Sequence, residues 1–188
     1  MTQPKQKFNN EPSPKTPPSL RHLSEQDLSY LAGFIDGDGC LLSQIIPRKN
    51  YKLKFQIRVS ITFYQKKSRH WFILWLHKLL KCGVIRIRND NMSEYTVTGP
   101  VFVEPLLLAL YPYLRIKRPL AKLILKIIDQ VKTVDTKEDF IEVCKLVDKV
   151  AQFTDSKKRK NTSLVVQSIL FPPVETESIS LEIPEKSS

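Results

Sequence analysis

Cysteine, histidine and glycine are scarce, with three, three and five copies in 188 residues. Cys40, Cys82 and Cys144 are far apart, odd in number and outside any Cys-x-x-Cys pattern. That argues against a disulfide framework or a zinc site and fits a reducing compartment. His70 and His77 share a predicted helix, but nothing nearby completes a ligand set. No apolar run approaches the ~18–20 residues of a membrane span, so no membrane partner is expected. The N-terminus has no apolar signal segment and is neither Arg-rich nor amphipathic, so no secretory or transit leader is expected. No internal repeat is present.

Basic charge is what the chain has in excess. Thirty Lys and Arg oppose 19 Asp and Glu, for a formal charge of +11. Residues 1–20 carry +2 and residues 171–188 carry −3, leaving +12 on residues 21–170. A compact domain that basic is suited to a polyanion, nucleic acid first. The bland alternative is a basic protein kept soluble by its charge. Both termini are rich in proline, which lacks an amide donor and fixes φ. They predict three parts: a disordered arm over 1–22, one domain over 23–170 and an acidic disordered tail over 171–188.

Ser24 with acidic residues after it predicts a capped helix running to about Gly37. Residues 40–48 read as a strand. From Tyr51 to Tyr64, apolar and polar residues alternate over fourteen positions, predicting a half-buried strand of roughly 45 Å at ~3.3 Å per residue. A helix over 67–80 follows, with Trp71, Leu74, Trp75 and Leu79 expected in the core. Short strands are expected at 84–88 and 94–98 around Asn89-Asp90-Asn91. The remainder reads as helices near 100–111, 119–131, 138–152 and 162–170. Leu120, Leu123, Ile124, Ile127, Ile128 and Val131 form one stripe. The fold class is α+β.

Leu31-Ala32-Gly33-Phe34-Ile35-Asp36-Gly37-Asp38-Gly39 carries the chemistry. Gly33 and Gly37, four apart, let a second helix backbone approach closely. Asp38 faces the negative end of the helix dipole, a placement unfavourable by about 0.3–1 kcal/mol. A divalent cation would reverse that penalty. A solvated turn aspartate beside a glycine helix stop explains the same residues. The residues alone leave both readings open.

The nonapeptide resembles that of the LAGLIDADG homing endonucleases at seven of nine positions, departing at Phe34 and Gly37. The resemblance spans about residues 24–165 and includes Tyr30, the long alternating strand, Gln65-Lys66, Arg69, Trp71, the 112–117 segment and Asp155-Ser156-Lys157. It implies an αββαββα core with a four-stranded antiparallel saddle-shaped sheet and extra C-terminal helices. Two motif copies are needed to cut two strands, and this chain has one, so the resemblance implies a homodimer. Leu31, Ala32, Gly33, Phe34, Ile35 and Gly37 would form its interface. Asp38 and the Gly37 carbonyl would bind Mg²⁺, for which Mn²⁺ or Ca²⁺ can substitute, with no small-molecule cofactor.

By the same resemblance, Gln65, Lys117 and Arg69 join Asp38 as catalytic residues. Gln65 would orient a water, and Lys117 and Arg69 would offset charge on the phosphate. Asp36 is expected to be structural. The open sheet face would read double-stranded DNA through Lys52, Lys54, Gln56, Arg58, Ser60, Thr62, Tyr64 and Lys66, with Gln44 and Arg48 from the first strand. Arg86, Arg88, Glu94 and Thr96 would join them from the last two. Lys and Arg suit guanine acceptors and Gln suits adenine. Ser156, Lys157, Lys160 and Asn161 would grip phosphates. Cys40, where a serine is familiar, and the Arg118-Pro119-Leu120 stretch depart from the pattern without touching Asp38. The implied activity is a Mg²⁺-dependent double-strand break with 3′ overhangs in a long pseudo-palindromic site, promoting intron homing. An organellar address is expected, chloroplast before mitochondrion. A catalytically silent intron maturase or regulator on the same scaffold is the alternative.

Overall fold

The computed structural model describes residues 16–17, 19–154 and 159–172. Helix α1 (Glu25–Gly37) starts at a reciprocal cap, in which Ser24 and Asp27 each accept the other's backbone N–H, at 3.1 and 2.9 Å. Strands β1 (Cys40–Pro47) and β2 (Phe55–Lys66) form a hairpin. A 3₁₀ turn leads into α2 (His70–Leu80), then β3 (Val84–Ile87) and β4 (Met92–Thr98). Four more helices complete the chain: α3 (Pro100–Leu110), α4 (Arg118–Val131), α5 (Lys137–Lys149) and α6 (Ser163–Leu170). The sheet is antiparallel with order β1-β2-β4-β3.

Helices cover one face of this sheet. Leu41, Ile45, Ile57, Val59, Ile61, Phe63, Tyr95 and Val97 point into the core, and alternate residues point away. Phe34 of α1 stacks on Phe63, which stacks on Tyr95, both at 5.8 Å between centroids. This aromatic column fixes α1 across the middle strands. The α4 stripe is in the core as its spacing predicts, with Leu120, Ile124, Ile127 and Ile128 buried.

Three expectations shift. The long alternation overruns its strand, because β2 starts at Phe55, paired to Pro47. Residues 48–54 are the hairpin connection, closed by Arg48 N–H to Lys54 O at 2.7 Å and by Lys54 N–H to Tyr51 O at 2.8 Å. Lys54 has φ +56°. The twelve residues of β2 span roughly 40 Å. Second, Trp71 and Trp75 are not core: they are 67% and 38% exposed, while Phe72, Ile73, Leu76 and Leu80 are buried. Third, the domain reaches past both expected boundaries. Leu20 packs on the core and His22 Nε2 lies 2.7 Å from Leu79 O. Phe171 N–H donates to Gln167 O at 2.9 Å. The rest of the arm (1–15 and 18) and the tail from 173 lie outside the described residues.

Candidate active site and nucleic-acid interface

Everything at this site hangs on the C-terminal end of α1. Asp38 is its C-cap, and its N–H and that of Gly39 both donate to Phe34 O, at 2.9 and 3.0 Å. The chain turns straight into β1 there. A methyl group on Gly39 would sit 2.7 Å from Ile35 Cα, so the turn requires glycine. Asp38 itself is exposed.

Asp36 is structural as expected. Its carboxylate accepts the backbone N–H groups of Arg115, Ile116 and Lys117 at 2.7, 3.2 and 2.8 Å. This clamp delivers the Lys117 ammonium to the helix end, where Nζ donates to Ile35 O at 2.7 Å and Asp36 O at 2.8 Å. A cation thus occupies the negative end of the α1 dipole and offsets the poor placing of Asp38. Lys117 touches helix carbonyls; no hydrogen bond joins it to the Asp38 carboxylate.

Gln65 lies three residues beyond the Thr62–Cys40 pair, at the same end of the sheet as Asp38. Its side chain is on the helix side, 8% exposed, and its Oε1 accepts from Arg69 Nη1 at 3.2 Å. That leaves the Gln65 amide N–H groups to donate. Cys40 neighbours this end, where burial pushes its thiol up from the ordinary range and nearby Lys117 opposes the shift.

The donor chemistry fits a hard divalent cation. Asp38 and the Gly37 carbonyl offer only oxygen, and Mg²⁺ is usually held by one or two carboxylates plus phosphate and water. Among the described residues, no group of three or more His, Cys, Asp or Glu is placed to hold a metal ion.

The motif helix divides differently from expectation. Leu31, Ala32 and Ile35 are fully buried in the chain's own core, because the sheet claims that side of α1, and Phe34 is held by the aromatic column. Gly33 and Gly37 remain open; a methyl at either would meet no atom within 4 Å. Tyr30, 52% exposed, lies three and seven residues before Gly33 and Gly37 on the same side of α1, and its ring packs edge-on against Phe72 and Trp75.

Across the open sheet face, the strands bring together Gln44, Gln56, Arg58, Tyr64, Lys66, Arg86, Glu94 and Thr96, with Arg48 and Arg88 at the strand ends. Burial pushes the Tyr64 hydroxyl up, and Glu94 adds to the shift. Ser60 and Thr62 share this face but form its floor and are buried, and Thr62 Oγ1 accepts from Thr96 Oγ1 at 3.2 Å. Lys52 and Lys54 fall in the β1–β2 connection, off the strand. Arg88 pairs with Asp90 at 2.8 Å. The Asn161 amide donates to Ile45 O at 2.9 Å, which ties this residue to the β1 edge. Arg159 likewise donates to Ser43 O and Val147 O, at 3.2 and 3.0 Å. Both satisfy the free edge of β1. Lys160 is exposed, and Ser156 and Lys157 lie outside the described residues.

An open four-stranded antiparallel sheet lies beside an acidic helix end, and a family model described as LAGLIDADG endonuclease matches residues 31–134. The chain belongs to that family. The DNA endonuclease I-CvuI of Chlorella vulgaris is 45% identical over 131 residues, 70% of this chain and 81% of that protein. The DNA endonuclease I-CreI of Chlamydomonas reinhardtii is 38% identical over 148 residues, 78% of this chain and 90% of that protein. A crystal structure of I-CvuI with the I-CreI target in 2 mM Mg, its DNA not cleaved, matches with TM-score 0.74 and 41% identity, covering 77% of this chain and 92% of that one. The archaeal intron-encoded I-Vdi141I, complexed with DNA, has the same fold at 17% identity and TM-score 0.68, over 77% of this chain and 94% of that one.

Proposed function

We propose that this protein is a homing endonuclease that cuts both strands of a long, pseudo-palindromic DNA site and leaves 3′ overhangs. The observation that carries the reading is the exposed Asp38 carboxylate at the end of a helix whose Gly33–Gly37 face is open. Two chains paired on that face bring two Asp38 residues together at the axis. The I-CvuI complexes with DNA, in Mg and in Ca, support the same reading.

In the proposed complex, Asp38 and the Gly37 carbonyl would hold Mg²⁺ together with DNA phosphates. Bound there, the cation supplies an activated water and stabilises the leaving oxygen. Lys117, already fixed at the helix end, offsets charge on the scissile phosphate. Gln65, steadied by Arg69, donates its free N–H groups to orient the attacking water. Arg86, Lys66 and Lys160 add basic charge on the exposed surface toward the duplex, which favours register without reading sequence. An organellar address, chloroplast before mitochondrion, follows from the family resemblance. No helix among the described residues is long and apolar enough to cross a membrane.

Incubating the protein and Mg²⁺ with a plasmid carrying the empty intron-insertion junction tests this. The expected result is one double-strand break with 3′ overhangs, lost in Asp38→Asn while DNA binding persists. Intact plasmid under Mg²⁺, with tight binding to intron RNA, would favour the silent maturase instead.

A further inference from the structure

The edge of β1 that faces away from β2 is met by side chains from far along the chain. Arg159 Nη1 donates to Ser43 O at 3.2 Å and to Val147 O of α5 at 3.0 Å, and Asn161 Nδ2 donates to Ile45 O at 2.9 Å. The two anchors are two residues apart and hold β1 carbonyls two residues apart, so the 159–161 stretch follows the strand in step. Just beyond, Thr162 caps α6 by accepting from Val165 N–H at 3.4 Å, and Ser163 N–H donates to Asp148 Oδ2 at 2.9 Å.

Lys160 is the residue between the anchors. Both of its neighbours turn inward, and its own side chain is exposed. It lines a cleft together with Leu42, Gln44 and Ile46, which the alternation of β1 places on the open sheet face. A lysine on a loose segment must order its backbone as well as its stem when it binds, and that ordering opposes association. Here the backbone on both sides of Lys160 is already held.

Resting on the reading that this face meets DNA, we propose that Arg159 and Asn161 are positioning residues, which hold Lys160 at the rim of the open face for a backbone phosphate and act on DNA through it. Residue type alone would give the phosphate to the arginine, whose forked donors suit it. The geometry gives the arginine to the scaffold and the phosphate to the lysine.

Phosphate grip does not depend on sequence, so binding of the full chain to a random-sequence duplex, without Mg²⁺ and across a salt series, tests this. Lys160→Gln should make the log–log salt slope shallower by about 1.8 in the dimer, two contacts at about 0.9 each. Asn161→Ala leaves Ile45 O to water; it should weaken low-salt binding roughly three- to tenfold and make the slope shallower too. Added to Lys160→Gln, the same change should have almost no effect, because residues that act through one another are not additive. Arg159→Met should behave like Asn161→Ala; it also strips a donor from Val147, so Asn161→Ala decides the matter if that variant fails to fold. Additive losses overturn the proposal, since anchors that touch DNA themselves, or only support the fold, weaken binding with or without Lys160. A Lys160→Gln slope equal to wild type overturns it as well. Wild-type binding that ignores salt sinks the DNA reading itself, and this inference with it.

Discussion

Asp38 and Lys117 are the two residues whose environment most directly sets what the site can do. An aspartate at a helix C-terminus is disfavoured, and Lys117 supplies the compensating charge through two carbonyls of the same helix turn. Lys117 therefore carries a structural load as well as its proposed role at the phosphate. Lys117→Met should reduce single-turnover cleavage by about 10²-fold or more, with DNA affinity nearly unchanged. It should also lower unfolding free energy by about 1.5–3 kcal/mol, since hydrogen bonds to a charged group are lost. Paired cleavage and thermal-melting assays separate the two effects. A variant that melts earlier but cuts at the wild-type rate would restrict Lys117 to scaffolding. Cys144 is inert by contrast: burial, assisted by Asp148, pushes its thiol up to about 12.

At the scale of elements, α1 has two faces with opposite requirements. Toward the sheet it is packed without room, and Gly39 leaves no space for a methyl group against Ile35. Away from the sheet, Gly33 faces open space. Gly39→Ala should accordingly destabilise the isolated chain by about 1–3 kcal/mol, as overpacking does, read by urea denaturation. Gly33→Leu should leave the fold intact but reduce the particle to one chain by light scattering. A dimeric Gly33→Leu protein would rule out pairing on this face. Helix α2 shows why its orientation was not legible in the sequence. Nearly every position from Trp71 to Leu80 is apolar except His77 and Lys78, so helical spacing fits both the Trp71–Trp75 side and the Phe72–Leu76 side. The sheet's inward Phe63 and Tyr95 select the second. The β2 alternation misled for a related reason: Tyr51 and Leu53 continue the period, but hairpin closure between Pro47 and Phe55 ends the ladder.

For the whole molecule, the excess of +12 over residues 21–170 resolves into distinct uses. Arg159 and Asn161 secure the β1 edge, Lys117 caps a helix, and Arg48 and Arg58 are tied to glutamines. Lys132 and Lys145 pair with Glu104 and Glu142, each at 2.6 Å, and exposed Lys66 and Lys160 are among those left for the polyanion. DNA affinity of the proposed dimer should fall steeply with salt, with a log–log slope of about −5 or steeper, because each neutralised phosphate contributes about −0.9. Filter binding between low and moderate salt measures this, and a flat slope would contradict a backbone-gripping saddle.

Local chemistry wrote much of this protein into its sequence. The Ser24 cap, the α4 stripe, the alternation within 55–64 and the motif that ends at Asp38 depend on residues a few positions apart, whose spacing is visible in one dimension. The rest was decided by partners brought together from far along the chain. Asp36 holds Lys117 from 81 positions away, and Asn161 reaches Ile45 from 116. Which arginine meets a given glutamine oxygen, as Arg58 meets Gln44, depends on which strand lies beside it, a matter of register that residue type does not encode. The sequence thus determined which side chains are available, and the packed sheet decided which of their atoms are left to act.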